Sequence, residues 1–296
     1  MAQDPPQARG RLRGTIPTPL GCLVAAWLLA GCNGSSPPTT PPTACTAADT
    51  LCRCTAELPV GPGLPGALAP LGADSTFEMA TWNLEFFPMD GLTTVNRMAS
   101  VIRALQVDVW AIQEDSSVAY FDSLLVRLPG YAGVLSGDVY SDGTYQKTGI
   151  VHRKAAISLG NTRALFADQP SPFPRPPLEA SLVFHSTAGD WNDVLGESPA
   201  MSSFPDFVGD STDYRFLDES LAPRSDLYSH PATLRSLDHI LVNRPACARI
   251  PRGSVITLRL DDIFADYAQE MSDHRPVLVV MGLPTPLASG GVAPGR

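Results

Sequence analysis

Positive charge is scarce in this sequence: 21 Lys and Arg face 30 Asp and Glu, giving a net charge of −9 over 296 residues and a pI near 4.9. Such a surface offers no basic footprint for nucleic acid and repels phosphates at long range, so a polyanionic substrate would need bound cations. The loops also lack the interleaved aromatic and basic residues that make a groove for a single strand. Long apolar runs are missing too. The one candidate, from about Leu20 to Leu29, is too short for a comfortable membrane span.

That stretch reads instead as an export signal, with Arg9, Arg11 and Arg13 before it and small residues at its end. Leu29-Ala30-Gly31-Cys32 has the form of a bacterial lipoprotein box, in which Cys32 is acylated and becomes the first residue. The expectation is a lipoprotein signal peptide over 1–31 and a domain held at a membrane by lipid chains. Asn33 stands where an Asp would favour inner-membrane retention, which points to the outer membrane or cell surface within the cell envelope. Residues 32–71 hold the acylated Cys, a Pro/Thr-rich spacer that cannot bury enough surface to fold, and a Cys-rich connection followed, from Leu58 to Leu71, by a Pro/Gly-rich stretch that orders only against the domain. The folded domain is expected over 72–285 and a flexible tail over 286–296.

Beyond Cys32, the thiols Cys45, Cys52, Cys54 and Cys247 suffice for two disulfides in an oxidising compartment. A Cys52 to Cys54 loop is too tight, so one local bridge from Cys45 and one to Cys247 are expected.

Within the domain, Phe77 to Glu85 alternates as a strand, with Met79, Thr81 and Asn83 on one face and Ala80, Trp82 and Leu84 on the other. Val95, Met98, Ile102 and Leu105 make a helical stripe, and Phe121 to Leu128 a second, short helix. Val107 to Glu114 reads as a buried strand ending on a carboxylate, with Asp115 the better fit to a solvated loop. Further strands are expected over 131–135, 145–153, 236–242 and 277–281. His152 and Arg153 suit a surface as well as a site.

The chemistry concentrates at strand ends. Asn83 and Glu114 there suggest oxygen ligands for Mg²⁺ or Mn²⁺, because a buried amide or charge is costly unless it binds something. In Gly189-Asp190-Trp191-Asn192-Asp193, an extended segment would put Asp190 and Asn192 on one side, a proton acceptor beside an amide, with Trp191 turned inward. Asp190 could then take a proton from attacking water while Asn192 holds water or a phosphoryl oxygen in line. The same residues also suit a plain Asx-rich turn. Asp273 and His274 offer a metal ligand or base beside an imidazole, and a separate Asp could fix that ring's tautomer. His239 is expected on the opposite strand face, and His230 in an ordinary Ser/Pro-rich loop.

Taken in order, Thr81-Trp-Asn-Leu-Glu85, Ile112-Gln-Glu114, Gly189-Asp-Trp-Asn192, Leu237-Asp-His-Ile240 and Ser272-Asp-His-Arg-Pro276 resemble the endonuclease/exonuclease/phosphatase superfamily, over about Phe77 to Met281. The resemblance implies an α+β fold, a four-layer α/β/β/α sandwich like deoxyribonuclease I. It also implies metal held by Asn83, Glu114 and Asp273, water activated by Asp190 and positioned by Asn192, phosphate met by His274, and Asp238 orienting that imidazole. The substrate class implied is a phosphoester, nucleic acid included. Nothing in the sequence points to a protein partner.

One departure stands out. Members usually carry a strand ending in His-Leu-Lys, then an Arg-bearing helix, before Gly-Asp-Trp-Asn. Here Leu178 stands 12 positions before Asp190, too few for a strand, a helix and a return strand. The expectation is a fold missing one central strand and helix, with His185 the sole nearby imidazole. A tethered Mg²⁺-dependent phosphodiesterase or nuclease is the leading reading. A noncatalytic surface lipoprotein on the same scaffold, and a phosphomonoesterase or lipid-head-group hydrolase, are the alternatives.

Overall fold

The computed structural model describes residues 58, 60, 61, 63, 64, 67–73, 76–137, 146–167, 176–180, 186–195, 201–243 and 253–282. The expected signal peptide over 1–31, Cys32, Cys45, Cys52, Cys54, Cys247, His185 and the expected tail over 286–296 lie outside them. Among the described residues no helix is long and apolar enough to cross a membrane.

Two sheets pack face to face. The larger runs β10-β11-β1-β2-β4-β3, with β1 (Thr76–Phe87) parallel to β2 (Val109–Asp115) and antiparallel to β11 (Val277–Gly282). Its other members are β3 (Tyr131–Leu135), β4 (Lys147–Arg153) and β10 (Gly253–Thr257). The smaller runs β7-β9-β8, with β7 (Ser186–Asp190) and β8 (Tyr214–Phe216) both antiparallel to β9 (Asp238–Asn243). A separate pair joins β5 (Thr162–Ala164) to β6 (Leu178–Ala180).

The alternation of β1 sets the layers. Ala80, Trp82 and Leu84 join Val95, Met98, Ile102 and Leu105 of α1 (Gly91–Leu105) in a core that also takes Phe121 and Leu124 of α2 (Val118–Val126). Phe77 and Met79 point the other way, with Val109 and Ala111, into a second core shared with Ala188, Ile240 and Val242 of the smaller sheet. Beyond that sheet Trp191, Phe204, Phe207 and Phe216 stack edge to face beside α3 (Pro205–Gly209). Helices, sheet and sheet therefore follow in the expected order, and beyond the second sheet lie the aromatic cluster and the short α3. The connection before the domain does order against it: Val60 bridges Val255, and Ser220 Oγ donates to the Leu58 carbonyl at 2.7 Å.

Strand polarity gathers the strand-end residues at one edge of the sandwich. β1 and β2 are parallel, so Asn83, Glu85 and Glu114 exit together. β11 runs against β1, which brings the turn before it, Ser272 to Arg275, to the same edge. β7 likewise ends where β9 begins, with Asp190 directly opposite Asp238.

Two readings need correction here. Asp115 is not a solvated loop residue: it lies in β2 with no exposed surface, and burial pushes its carboxyl up to about 7. Glu114 is the one near the mouth, because the pairing of β2 shifts between Ile112 and Asp115 and Glu114 sits at φ 63°. Arg153 is spoken for structurally, donating to Asp108 Oδ1 at 2.8 Å, and His152 is buried.

Glu78 is also fully buried, and its carboxyl rises from 4.5 to about 7 through burial, with the Asp108 charge adding to it. The folded state therefore holds more protons than the unfolded one between about pH 4.5 and 7, so unfolding free energy falls as pH rises through that window. Urea unfolding across it should show this decline, and Glu78→Gln should flatten it in part, the raised carboxyls of Asp115, Glu85 and Asp190 supplying the remainder; an unchanged slope in the variant would refute the assignment.

Candidate active site

Asp190 ends β7 with its carboxylate facing three donors. Asn83 Nδ2 reaches Oδ2 at 3.0 Å, Asn192 Nδ2 reaches it at 3.1 Å, and the Asn192 backbone N–H meets Oδ1 at 2.9 Å. The last bond is an Asx turn, so the turn reading of this motif holds for its backbone. The strand stops at Asp190, and Asn192, at φ 53°, reaches back to it from the turn and not along an extended segment. Trp191 holds the strand end through its backbone N–H, bonded to Leu237 O at 2.8 Å, but its half-buried ring packs among the outer aromatics beyond the smaller sheet and is not turned inward as expected. Asp193 turns away and accepts the Ser203 N–H at 2.5 Å. Burial, with the Asp238 charge next, raises the Asp190 carboxyl above its usual range and makes it a better proton acceptor.

Asp238 is buried opposite it and accepts from His274 Nδ1 at 2.7 Å. Burial works against a charged His274 ring, but Asp238, then Asp190 and Asp273, outweigh it and push the imidazole up to about 9. The resulting cation lies between carboxylates that would otherwise repel each other across the strand pair.

The turn carrying His274 is tied to β1. Ser272 Oγ donates to the Asn83 carbonyl at 2.6 Å and accepts the His274 N–H at 2.9 Å. Tyr267, on α4 (Tyr267–Glu270), donates to the His274 carbonyl at 2.5 Å and accepts from Trp82 Nε1 at 3.0 Å. Arg275 grips Asp261 with two guanidinium nitrogens.

Glu85 received no role from the sequence, although it closes the first motif. Its carboxylate accepts the Asp273 N–H at 2.9 Å while its own N–H binds Asn83 Oδ1 at 2.9 Å. Burial raises its carboxyl, and the Asp273 and Glu114 charges add to this. Glu85, Asp273, Glu114 and the Asn83 amide oxygen bring hard oxygen donors short of positive charge to one edge, the chemistry a divalent ion such as Mg²⁺ takes, although the three carboxylates do not converge within 4.8 Å of one another. Glu85, Asn192 and Glu114 all adopt positive φ, so backbone strain collects at this edge.

Among the described residues two trios place ligand atoms within 4.8 Å of one another: Asp190, Asp238 and His274, and His230, Asp273 and His274. Glu114 joins neither; Gln146 Nε2 donates to it at 3.1 Å. His230 is the second residue the sequence missed. His239 is where it was expected, off the site, bonded to Asp218 Oδ2 at 2.6 Å and the Asp193 carbonyl at 2.8 Å.

The sequence profile of the Endonuclease/Exonuclease/phosphatase family matches residues 80–274. The chain belongs to this family. Enzymes of the family generally use divalent metals, and the match spans the site from Trp82 to His274. Among solved structures, the 3′ phosphatase NExo from Neisseria bound to a product DNA hairpin is 15% identical, with a TM-score of 0.50 over 69% of this chain and 98% of that one. An AP endonuclease from Archaeoglobus fulgidus is 13% identical, TM-score 0.49, over 70% and 100%. A family member from Bacteroides vulgatus is 13% identical, TM-score 0.48, over 71% and 100%. No curated protein matches in sequence. At 15% identity the likeness to the Neisseria structure speaks for the fold alone.

Two outcomes follow for the turn. In protein stripped of metal, NMR titration should find the His274 ring protonated through neutral pH, and Asp238→Asn should lower its pKa; a ring that titrates near 6.5 in both would contradict the pairing. Ser272→Ala strands buried partners on both sides and should cost about 1–3 kcal/mol in chemical unfolding.

Proposed function

We propose that the protein is a divalent-metal-dependent phosphodiesterase or nuclease that works outside the cytoplasm. The observation that carries this reading is the three-donor cradle around Asp190 beside the His274–Asp238 pair. In it, Asp190 accepts the proton of an attacking water. The Asn83 and Asn192 amides, now on Asp190, are placed to hold that water and the phosphoryl oxygens. His274, charged at neutral pH and held by Asp238, stabilises the negative charge that builds on the phosphoryl group. Glu85, Glu114 and Asp273, with the Asn83 amide oxygen, would hold Mg²⁺ or Mn²⁺, which when bound would supply Lewis acidity to the phosphoryl group.

The same cation set answers the charge problem raised by the sequence, since a net −9 chain needs local positive charge to bring in a phosphoester. We assign Cys32 as the acylated residue and 32–71 as the tether, placing the domain at the cell envelope with its thiols in an oxidising compartment. We also read the chain as lacking the family's His-Leu-Lys strand and the helix after it. DNA, to which the Neisseria structure is bound, is the first natural substrate to try.

Purified full-length protein should cleave DNA or bis(4-nitrophenyl) phosphate with added Mg²⁺ or Mn²⁺ and lose this with EDTA. Asp190→Asn should lower kcat by about 10²–10⁴-fold, the usual weight of a positioned base. Metal binding without any hydrolysis would favour a noncatalytic lipoprotein, and a preference for monoesters would favour a phosphomonoesterase.

A further inference from the structure

His230 has the position and the proton to act on the substrate. It follows Ser229, which is wholly buried and locked to both sides of the site: Ser229 O accepts the Arg275 N–H at 2.7 Å, and Ser229 Oγ accepts the Leu237 and Asp238 N–H groups at 2.9 and 3.2 Å. The His230 backbone pairs with Arg235 in both directions, at 2.8 and 3.3 Å, closing a tight loop over the 3-10 turn Pro231–Thr233. Its ring lies edge to face with that of His274, centroids 4.7 Å apart and planes at 72°.

The tautomer follows from the cap. A backbone N–H can only donate, so the Thr233 N–H at 3.2 Å makes His230 Nδ1 an acceptor, and the Thr233 hydroxyl lies 2.7 Å from the same nitrogen. The neutral ring therefore carries its proton on Nε2, which points to Asp273 Oδ2 at 3.1 Å. His274 Nε2 approaches the other oxygen of that carboxylate, at 3.8 Å. Two imidazole edges thus converge on the two oxygens of one anion. A metal ion on His230 Nε2 would need the lone pair there and so would set Nδ1–H against the Thr233 N–H, which disfavours ligation.

We propose that His230 is a catalytic residue whose Nε2–H donates to a nonbridging oxygen of the scissile phosphate beside His274. This rests on the phosphoester-hydrolase reading. A donor fixed beforehand at an oxygen where charge develops needs no reorganisation during reaction, and removing one such donor costs about 10²–10³ in kcat. The assignment also supplies a second imidazole from the chain segment before β9 in a sequence read as lacking the His-Leu-Lys strand.

The test compares full-length wild type with His230→Ala and His230→Gln, whose amide nitrogen can reach to about where Nε2 sits, on bis(4-nitrophenyl) phosphate, with Mn²⁺ affinity measured in parallel. Expected are a kcat loss of about 10²-fold or more in the Ala variant, partial recovery in the Gln variant, and Mn²⁺ affinity close to wild type in both. An independent reading is the imidazole ¹⁵N spectrum of His230 in the wild type, which should show the Nε2–H tautomer and should shift when inorganic phosphate is added. Should the Ala variant fail to fold, the Gln variant and this spectrum decide. Full activity in His230→Ala, or a spectrum indifferent to phosphate, would overturn the proposal while leaving the hydrolase reading in place. A loss of Mn²⁺ affinity that matches the loss of kcat would overturn it in favour of metal ligation. An inactive wild type would instead remove the hydrolase reading itself, and the proposal with it.

Discussion

Everything at the active edge depends on two carboxylates that should not tolerate each other. Asp190 and Asp238 face one another across the β7–β9 pair, Asp238 fully buried and Asp190 partly so. Like charges directly opposite in a sheet are destabilising, and burial amplifies the cost. The His274 ring answers both, bonded to Asp238 and pushed up to about 9 by the acids around it. Removing that ring would leave two facing carboxylates with no cation between them.

The scaffold around this pair exists to hold the ring still. Ser272 and Tyr267 pin its backbone to β1, and Tyr267 is in turn held by Trp82, a residue of the helix-facing core. Packing in one layer is thereby connected to proton chemistry in another. Site and core meet in β1, whose inner face leads from Phe77 and Met79 in the core to Asn83 and Glu85 at the edge.

Much of this was legible in the sequence because it depends on local pattern. The period of two in β1 and the helical stripe of α1 assigned Trp82, Val95, Met98 and Ile102 to the layer where they are found. The five motifs located Asn83, Asp190, Asn192, Asp238 and His274, and the structure brings these together. What failed were features that depend on distant packing or on broken alternation. Register shifts at the ends of β1 and β2 exchange the inside and outside roles of Glu114 and Asp115 and turn Glu85 onto the Asp273 N–H. His230 looked ordinary because its neighbours in sequence are ordinary; the bonds from Ser229 to Arg275, Leu237 and Asp238, distant in sequence, bring it beside His274. The cysteines and His185 lie outside the described residues, so the expectations placed on them rest on sequence.

The central claim is that this edge is a cation-assisted phosphoester site with separate places for metal and anion. Anomalous diffraction from crystals soaked in Mn²⁺ and inorganic phosphate tests it most directly. The account predicts a manganese peak among Glu85, Glu114, Asp273 and the Asn83 amide oxygen, with phosphate against His274 and His230. A manganese ion bound through the His230 and His274 ring nitrogens, or an edge that takes up neither species, would contradict it.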